Sequence, residues 1–194
     1  LIIFEAGACY MKKVNIGVIG VGIQGEHQVK CFRSITNADL VAVSDRNVER
    51  AKKIAEEYHV PKTYGDYHDL AADPEIELVS VCTPDHLHFE PSISAIENGK
   101  HLLVEKPLAT DVSEAERIVS EARKHGVKLM LNFSNRWSPP FRLARKTIEE
   151  GKTGKLIHAY ARLSDTIFVP TEMIKWSRQT SVLWFLGSHV FDLL

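Results

Sequence analysis

Three cysteines (Cys9, Cys31 and Cys82) are scattered over 194 residues. Their number and spacing offer no disulfide framework, and a reducing, cytoplasmic setting is the default expectation. Neither sign of charge is in excess: 24 Lys and Arg stand against 25 Asp and Glu, for a net charge of −1. A nucleic-acid partner would call for a basic surplus. No stretch approaches the roughly 20 apolar residues that span a bilayer, so no membrane partner is expected. Internal repeats and low-complexity tracts are missing as well. What is present is ordinary globular material, 44% hydrophobic and 25% charged. That is enough to bury a core without a structural metal.

Both ends are unusual. Leu1 to Tyr10 is apolar and precedes Met11-Lys-Lys. Glu5 interrupts the run, no basic region precedes it and no Ala-x-Ala follows it. Residues 1–10 are therefore read as upstream translated sequence or an expression scar. At the other end, Val190 to Leu194 continues an apolar helical pattern with no Gly, Asn or Pro to stop it. The expectation is a fragment.

From Lys13 to about Leu131, short apolar runs alternate with amphipathic stretches. Strands are predicted at Val14–Ile19, Leu40–Ser44, Leu78–Val81, His101–Val104 and Lys128–Leu131. Helices are predicted at Ile23–Ser34, Asn47–Tyr58, Asp85–Glu97 and Asp111–His125. Asp111 and Glu114 suit a capping box, and Gly126 a helix stop. Continuous apolar strands alternating with helices indicate an α/β fold: a doubly wound parallel sheet of the Rossmann kind, spanning residues 11–133. A partial α/β domain would follow over 134–194. In it a helix starts at Ser138-Pro-Pro, a strand runs over Lys155–Leu163, and a further helix begins near Ser181. One strand cannot make a sheet, so this second unit reads as incomplete.

Gly20-Val21-Gly22-Ile23-Gln24-Gly25 matches G-x-G-x-x-G, and context raises its weight. It follows a strand, opens a helix, and precedes Asp45 by twenty residues (25 to 45). Gly20 permits the turn, Gly22 lets a pyrophosphate approach the backbone, and Gly25 lets helix and strand pack closely. The helix N-terminus, with Ile23 and Gln24 in its first turn, supplies free N–H groups for phosphate. Asp45 would accept the adenosine ribose hydroxyls, which favours NAD. Arg46 keeps NADP open, because it could stack on adenine or pair with a 2′-phosphate. The competing reading is a tight turn with no ligand.

Three further motifs carry a resemblance. They are Thr83-Pro84-Asp-His86-Leu-His88; Gly99-Lys-His-Leu-Leu-Val-Glu105-Lys106-Pro107; and Gly187-Ser-His189-Val-Phe-Asp192. With the glycine cluster, Asn132-Phe-Ser-Asn-Arg136-Trp137 and Gly151-Lys-Thr-Gly154, they resemble the Gfo/Idh/MocA family of NAD(P)-dependent oxidoreductases. The resemblance covers nearly the whole chain from Met11. It implies transfer of a hydride between a nicotinamide and a secondary hydroxyl of a sugar, cyclitol or related polyol. It also implies a homo-oligomer when full length, because relatives pair through a sheet absent here.

By the same resemblance Lys106 and His189 are the catalytic pair. Thr83, Pro84, His88 and Glu105 lie along the cofactor, Lys106 lies beside the nicotinamide, and a cis Lys106–Pro107 bond fits the turn. His88 could equally be a packing histidine. The best-known relatives carry an aspartate four residues before the catalytic histidine, where this chain has Phe185. Helical spacing would put Phe185, His189 and Asp192 on one face. Asp192 could then partner the histidine or only brace the helix. Asp192, Arg136 and Trp137 are candidate substrate contacts. Phe185 keeps a second reading open, a dinucleotide-binding regulatory or scaffold protein without redox turnover. A third is an enzyme whose tightly held NAD acts transiently.

Other signals are set aside. Cys82, His86 and His88 lack zinc spacing, so no metal is expected. Gly151-Lys-Thr lacks the earlier glycine of a P-loop, since Lys146 stands there. The charged segment Glu49–Glu57, with Arg50, reads as a solvated helix face. Trp176 and Trp184 could stack on a sugar or pack in a core.

Overall fold

The computed structural model describes residues 12–194, so the extension over residues 1–10 lies outside the described residues. Six parallel strands form one sheet in the order β3-β2-β1-β4-β5-β6. They are β1 Val14–Ile19, β2 Ala38–Ser44, β3 Lys62–Tyr64, β4 Leu78–Val81, β5 His101–Glu105 and β6 Leu129–Asn132. The order reverses between β1 and β4, which pair with Ile16 beside Leu78 and Ile19 beside Val81. In open α/β sheets, ligands bind at the carboxyl ends of the strands flanking such a reversal.

Helices cover both faces, as the continuous apolar strands require. On one face, α1 (Ile23–Ser34) and α2 (Val48–Tyr58) close over Val18, Val29, Phe32, Leu40, Val43 and Ile54. On the other, α3 (Tyr67–Ala72), α4 (Phe89–Glu97) and α5 (Val112–Lys124) close over Leu70, Ile76, Ile96, Leu102 and Ile118. Each fully buried Val, Leu or Ile contributes about 1.5–3 kcal/mol.

Local chemistry sets the helix ends. The Asn47 side chain accepts from the Arg50 N–H at the start of α2, and Asp66 accepts from the His68 N–H at the start of α3. Asp111 accepts from the Ser113 and Glu114 N–H groups, as an N-cap does. Gly126 follows α5 with φ +66°.

Several expectations need correction. The short edge strand β3 and helix α3 carry too few apolar residues to register as periodic segments. The helix expected over Asp85–Glu97 is a 3₁₀ turn, Asp85–Leu87, followed by α4. No strand forms over Lys155–Leu163: that stretch is irregular, because among the described residues no strand pairs with it.

Residues 134–194 otherwise hold a 3₁₀ turn (Ser134–Trp137), α6 (Pro139–Glu149) and a π-helical turn (Val169–Met173). The helix expected from Ser181 begins as a second π-helical turn, Leu183–Gly187, and becomes α7 at Ser188–Leu193. None of the α6 residues is buried. Among the described residues no helix is long and apolar enough to cross a membrane.

Candidate active site

The glycine turn sits where the sheet order reverses. Gly20 has φ +83°, a conformation that favours glycine, and a Cβ there would lie 2.9 Å from the Cys82 carbonyl and the Thr83 nitrogen. At Gly25 a Cβ would fall 1.8 Å from the Gly20 oxygen, so α1 can pack this close to β1 only without a side chain. Gly22 is different: a Cβ there would meet nothing within 4 Å. Gly22 is also the N-cap of α1, and no side chain caps that helix. Open space over an uncapped helix start fits a dinucleotide pyrophosphate. Ile23 is exposed at this edge.

Asp45 follows β2 and is buried. Its Oδ2 accepts from the Val21 N–H at 3.0 Å and from Arg50 Nε at 3.1 Å. Its Oδ1 accepts from the Asn47 N–H at 2.8 Å and from Arg50 Nη2 at 3.0 Å. Arg50, expected on a solvated face, is thus the bidentate partner of Asp45, because the first turn of α2 brings it back over the strand end. Arg46 is exposed beside them.

Thr83 and Pro84 follow β4, and the Thr83 hydroxyl donates to the Leu87 carbonyl at 3.0 Å. His88 is 1% exposed. Its Nδ1 lies 2.6 Å from the Pro107 carbonyl oxygen and its Nε2 2.9 Å from that of Thr83. Burial holds its pKa below the usual histidine value, and a neutral ring donates to one carbonyl at a time. The expectation that His88 contacts cofactor therefore needs correction. Both ring nitrogens face backbone, and the residue braces the Thr83 loop against the Pro107 turn.

Glu105 ends β5 and is buried. Its Oε1 receives the side-chain amides of Asn132 at 2.7 Å, Gln28 at 2.9 Å and Gln24 at 3.4 Å. Lys106 follows, with a cis bond to Pro107. Its Nζ donates to the Phe185 carbonyl at 2.9 Å and stands 4.2 Å from the centroid of that ring. Burial lowers the Lys106 pKa, and the Asp85 and Glu105 carboxylates oppose that shift. Asp85 is itself buried, which raises its pKa, and it accepts from the Thr180 hydroxyl at 2.8 Å.

His189 enters from the other part of the chain, with its Nδ1 buried and unpartnered among the described residues. Burial lowers its pKa, and the nearby Lys106 cation adds to this. Asp192 does not partner it. The Asp192 carboxylate is gripped by Arg136, whose Nε donates to both oxygens at 2.8 and 2.9 Å while Nη2 also binds Oδ1. These two candidate substrate contacts therefore engage each other, and Trp137 beside them is 61% exposed.

Glu105, Lys106, Gly20–Gly25 and Asp45 lie at the carboxyl ends of the strands, and His189 lies close enough to feel the charges of Lys106 and Glu105. The sequence reading missed Arg50, Gln28, Asn132, Asp85 and Thr180. Only Asp85 carried a local signal, as the carboxylate directly after Thr83-Pro84.

A doubly wound sheet with this glycine turn and an acidic residue ending β2 defines a dinucleotide-binding oxidoreductase domain. Residues 14–133 match the Gfo/Idh/MocA profile, an oxidoreductase family with an NAD-binding Rossmann fold. The chain belongs to that family. It is similar to scyllo-inositol 2-dehydrogenase (NAD(+)) of Bacillus subtilis, at 32% identity over 166 residues, covering 85% of this chain and 48% of that protein. In structure it resembles a probable dehydrogenase from Thermotoga maritima with TM-score 0.79 and 28% identity, covering 93% of this chain and 54% of the other. It also resembles scyllo-inositol dehydrogenase from Lactobacillus casei with bound NAD(H) and scyllo-inositol. There the TM-score is 0.71 and the identity 26%, covering 74% and 43%. The chain spans about half the length of the curated relatives it matches.

Proposed function

We propose that this chain carries the NAD-binding half, with part of the substrate-binding half, of a dehydrogenase that oxidises a secondary hydroxyl of a cyclitol, sugar or related polyol. The observation that carries the reading is Lys106. It is a half-buried amine at the carboxyl end of an interior strand, lowered in pKa by desolvation, with His189 beside it. Gly20, Gly22 and Gly25 with the first turn of α1 would hold the pyrophosphate. Asp45 would hold the adenosine ribose, and Glu105 with Gln24 would line the approach to the nicotinamide end. When bound, the nicotinamide supplies the carbon that takes two electrons and one hydrogen from the substrate C–H.

The protein side of the reaction is proton handling. Lys106, once neutral, accepts the hydroxyl proton as the carbonyl forms. His189, without a carboxylate partner, orients the hydroxyl more than it removes the proton. Its buried Nδ1 has no partner among the described residues. Residues 134–194 belong, on this reading, to the substrate-binding unit.

The test is formation of reduced nicotinamide by the full-length protein over a panel of inositols, sugars and smaller polyols. The expected result is turnover on at least one member, lost in Lys106→Ala. NAD binding with no turnover anywhere on the panel would instead favour a regulatory dinucleotide sensor. The feature supporting that second reading is the Phe185 carbonyl already seated on Lys106.

A further inference from the structure

The acidic residue at the end of β2 is engaged more fully than a ribose acceptor needs to be. A carboxylate offers about four lone-pair positions. The four at Asp45 face Val21 N–H, Asn47 N–H, Arg50 Nε and Arg50 Nη2. The first two donors are backbone and fixed. The other two belong to a side chain that is 45% exposed, while the Asp45 side chain is 6% exposed. Only Arg50 can leave.

We propose that Arg50 exchanges places with the adenosine ribose at Asp45 and thereby sets the balance between NAD and NADP. The inference rests on the reading of Asp45 as the ribose acceptor. A ribose diol can bond to Asp45 only by displacing the guanidinium, so the Arg50–Asp45 pair competes with NAD. A 2′-phosphate meets the opposite situation. The guanidinium has already cancelled the carboxylate charge that would repel it. Its planar fork suits a phosphate, and exposed Arg46 stands one residue from Asp45 with a second cation. Arg50 therefore opposes one dinucleotide and favours the other, although it lies in a segment that looks like an ordinary charged helix face.

The experiment is calorimetric titration of the wild-type chain, Arg50→Met and Arg50→Lys with NAD and with NADP. Arg50→Met should tighten NAD by about three- to five-fold, because the competing ion pair is gone. It should weaken NADP by about ten-fold or more, the scale of a lost charge-assisted contact. Arg50→Lys keeps the charge without the fork, so its NADP loss should be smaller. Thermal melts of both variants check that the fold persists, and Arg50→Lys carries the test if Arg50→Met melts early. Weaker NAD binding in Arg50→Met, or both affinities within two-fold of wild type, overturns the exchange while leaving the cofactor site standing. Failure of the wild-type chain to bind either dinucleotide overturns the underlying site reading and this inference with it.

Discussion

Lys106 and Phe185, which lie in different parts of the chain, are joined by a hydrogen bond from the lysine Nζ to the Phe185 carbonyl oxygen at 2.9 Å. The aromatic ring of the same residue lies under the ammonium at 4.2 Å. Carbonyl and ring face both favour the charged amine, whereas burial favours the neutral one. The two contacts hold the ammonium form, against the desolvation that favours loss of its proton. Phe185 thus restrains the lysine through its backbone as well as its ring.

The first prediction concerns that proton. In the full-length protein, on the proposed dehydrogenase reading, Lys106→Ala should lower turnover by about 10²–10⁴, the usual range for general acid–base catalysis. His189→Ala should cost about ten-fold and raise KM. The rate of alcohol oxidation should climb with pH and level off at a midpoint below the ordinary lysine value, since the base works only when neutral and burial lowers its pKa. The Asp85 carboxylate opposes that lowering, so Asp85→Asn should move the midpoint to still lower pH. Steady-state pH profiles of the three variants decide this. An equal loss in His189→Ala and Lys106→Ala would refute the division of labour.

Asp45 gives the second. Asp45→Ala removes the ribose acceptor and leaves the buried Val21 N–H without its partner. The fold should lose about 1–3 kcal/mol, and the preference for NAD over NADP should narrow by a similar amount. Chemical denaturation and calorimetry measure the two effects separately. An unchanged ratio of NAD to NADP affinity in Asp45→Ala would contradict the assigned role of Asp45.

The glycines separate folding from binding. Gly25→Ala places a methyl 1.8 Å from the Gly20 oxygen, and should destabilise the protein by about 3 kcal/mol or more. Gly22→Ala meets open space. It should leave the melting temperature within the scatter of surface changes, about 0.5 kcal/mol, and yet weaken NAD binding at least ten-fold. A Gly22→Ala protein that binds NAD normally would show that the pyrophosphate does not cross this turn.

Much of this arrangement was legible in the sequence because its signals are local. Strands β1 and β4 are short runs rich in Val, Ile and Leu, read with the same limits as found, and the glycine cluster lies within six residues. What escaped depends on distance in the chain. Gln28 and Asn132 meet on Glu105 from three different elements, and no spacing rule relates them. Arg50 has the composition of a solvated face, and only the turn into α2 aims it at Asp45. The Lys155–Leu163 strand was over-read for a related reason: its residue pattern suits a strand, but strand formation also needs a neighbour.

The fourth prediction follows from how residues 134–194 are held. No α6 side chain is buried, and among the described residues the polar side-chain contacts from this region to the Rossmann domain are Lys106 to Phe185 and Thr180 to Asp85. Among the described residues Val169 and Ile174 are the buried apolar side chains of this region, a small share of the core, so local opening should cost far less than global unfolding. Hydrogen exchange of the 194-residue chain should show slow amides in β1, β4 and β5, and fast ones across 139–166. Comparable protection in both regions would count against this.

Cys82 turns the glycine turn into something that can be timed. Its backbone closes against Gly20, its Cβ approaches the Gly25 position to 3.4 Å, and burial pushes the thiol well above its ordinary pKa. The reactive thiolate is thus scarce, and the sulfur is shielded for as long as the turn stays shut. Cys31 is only half-buried and should be alkylated first. Modification of Cys82 then becomes a clock that advances only when α1 lifts from β1, and NAD seated over the turn should slow it. Mass spectrometry of alkylated peptides, with and without NAD, would read that clock; an unchanged Cys82 rate would mean the dinucleotide leaves the turn free to open.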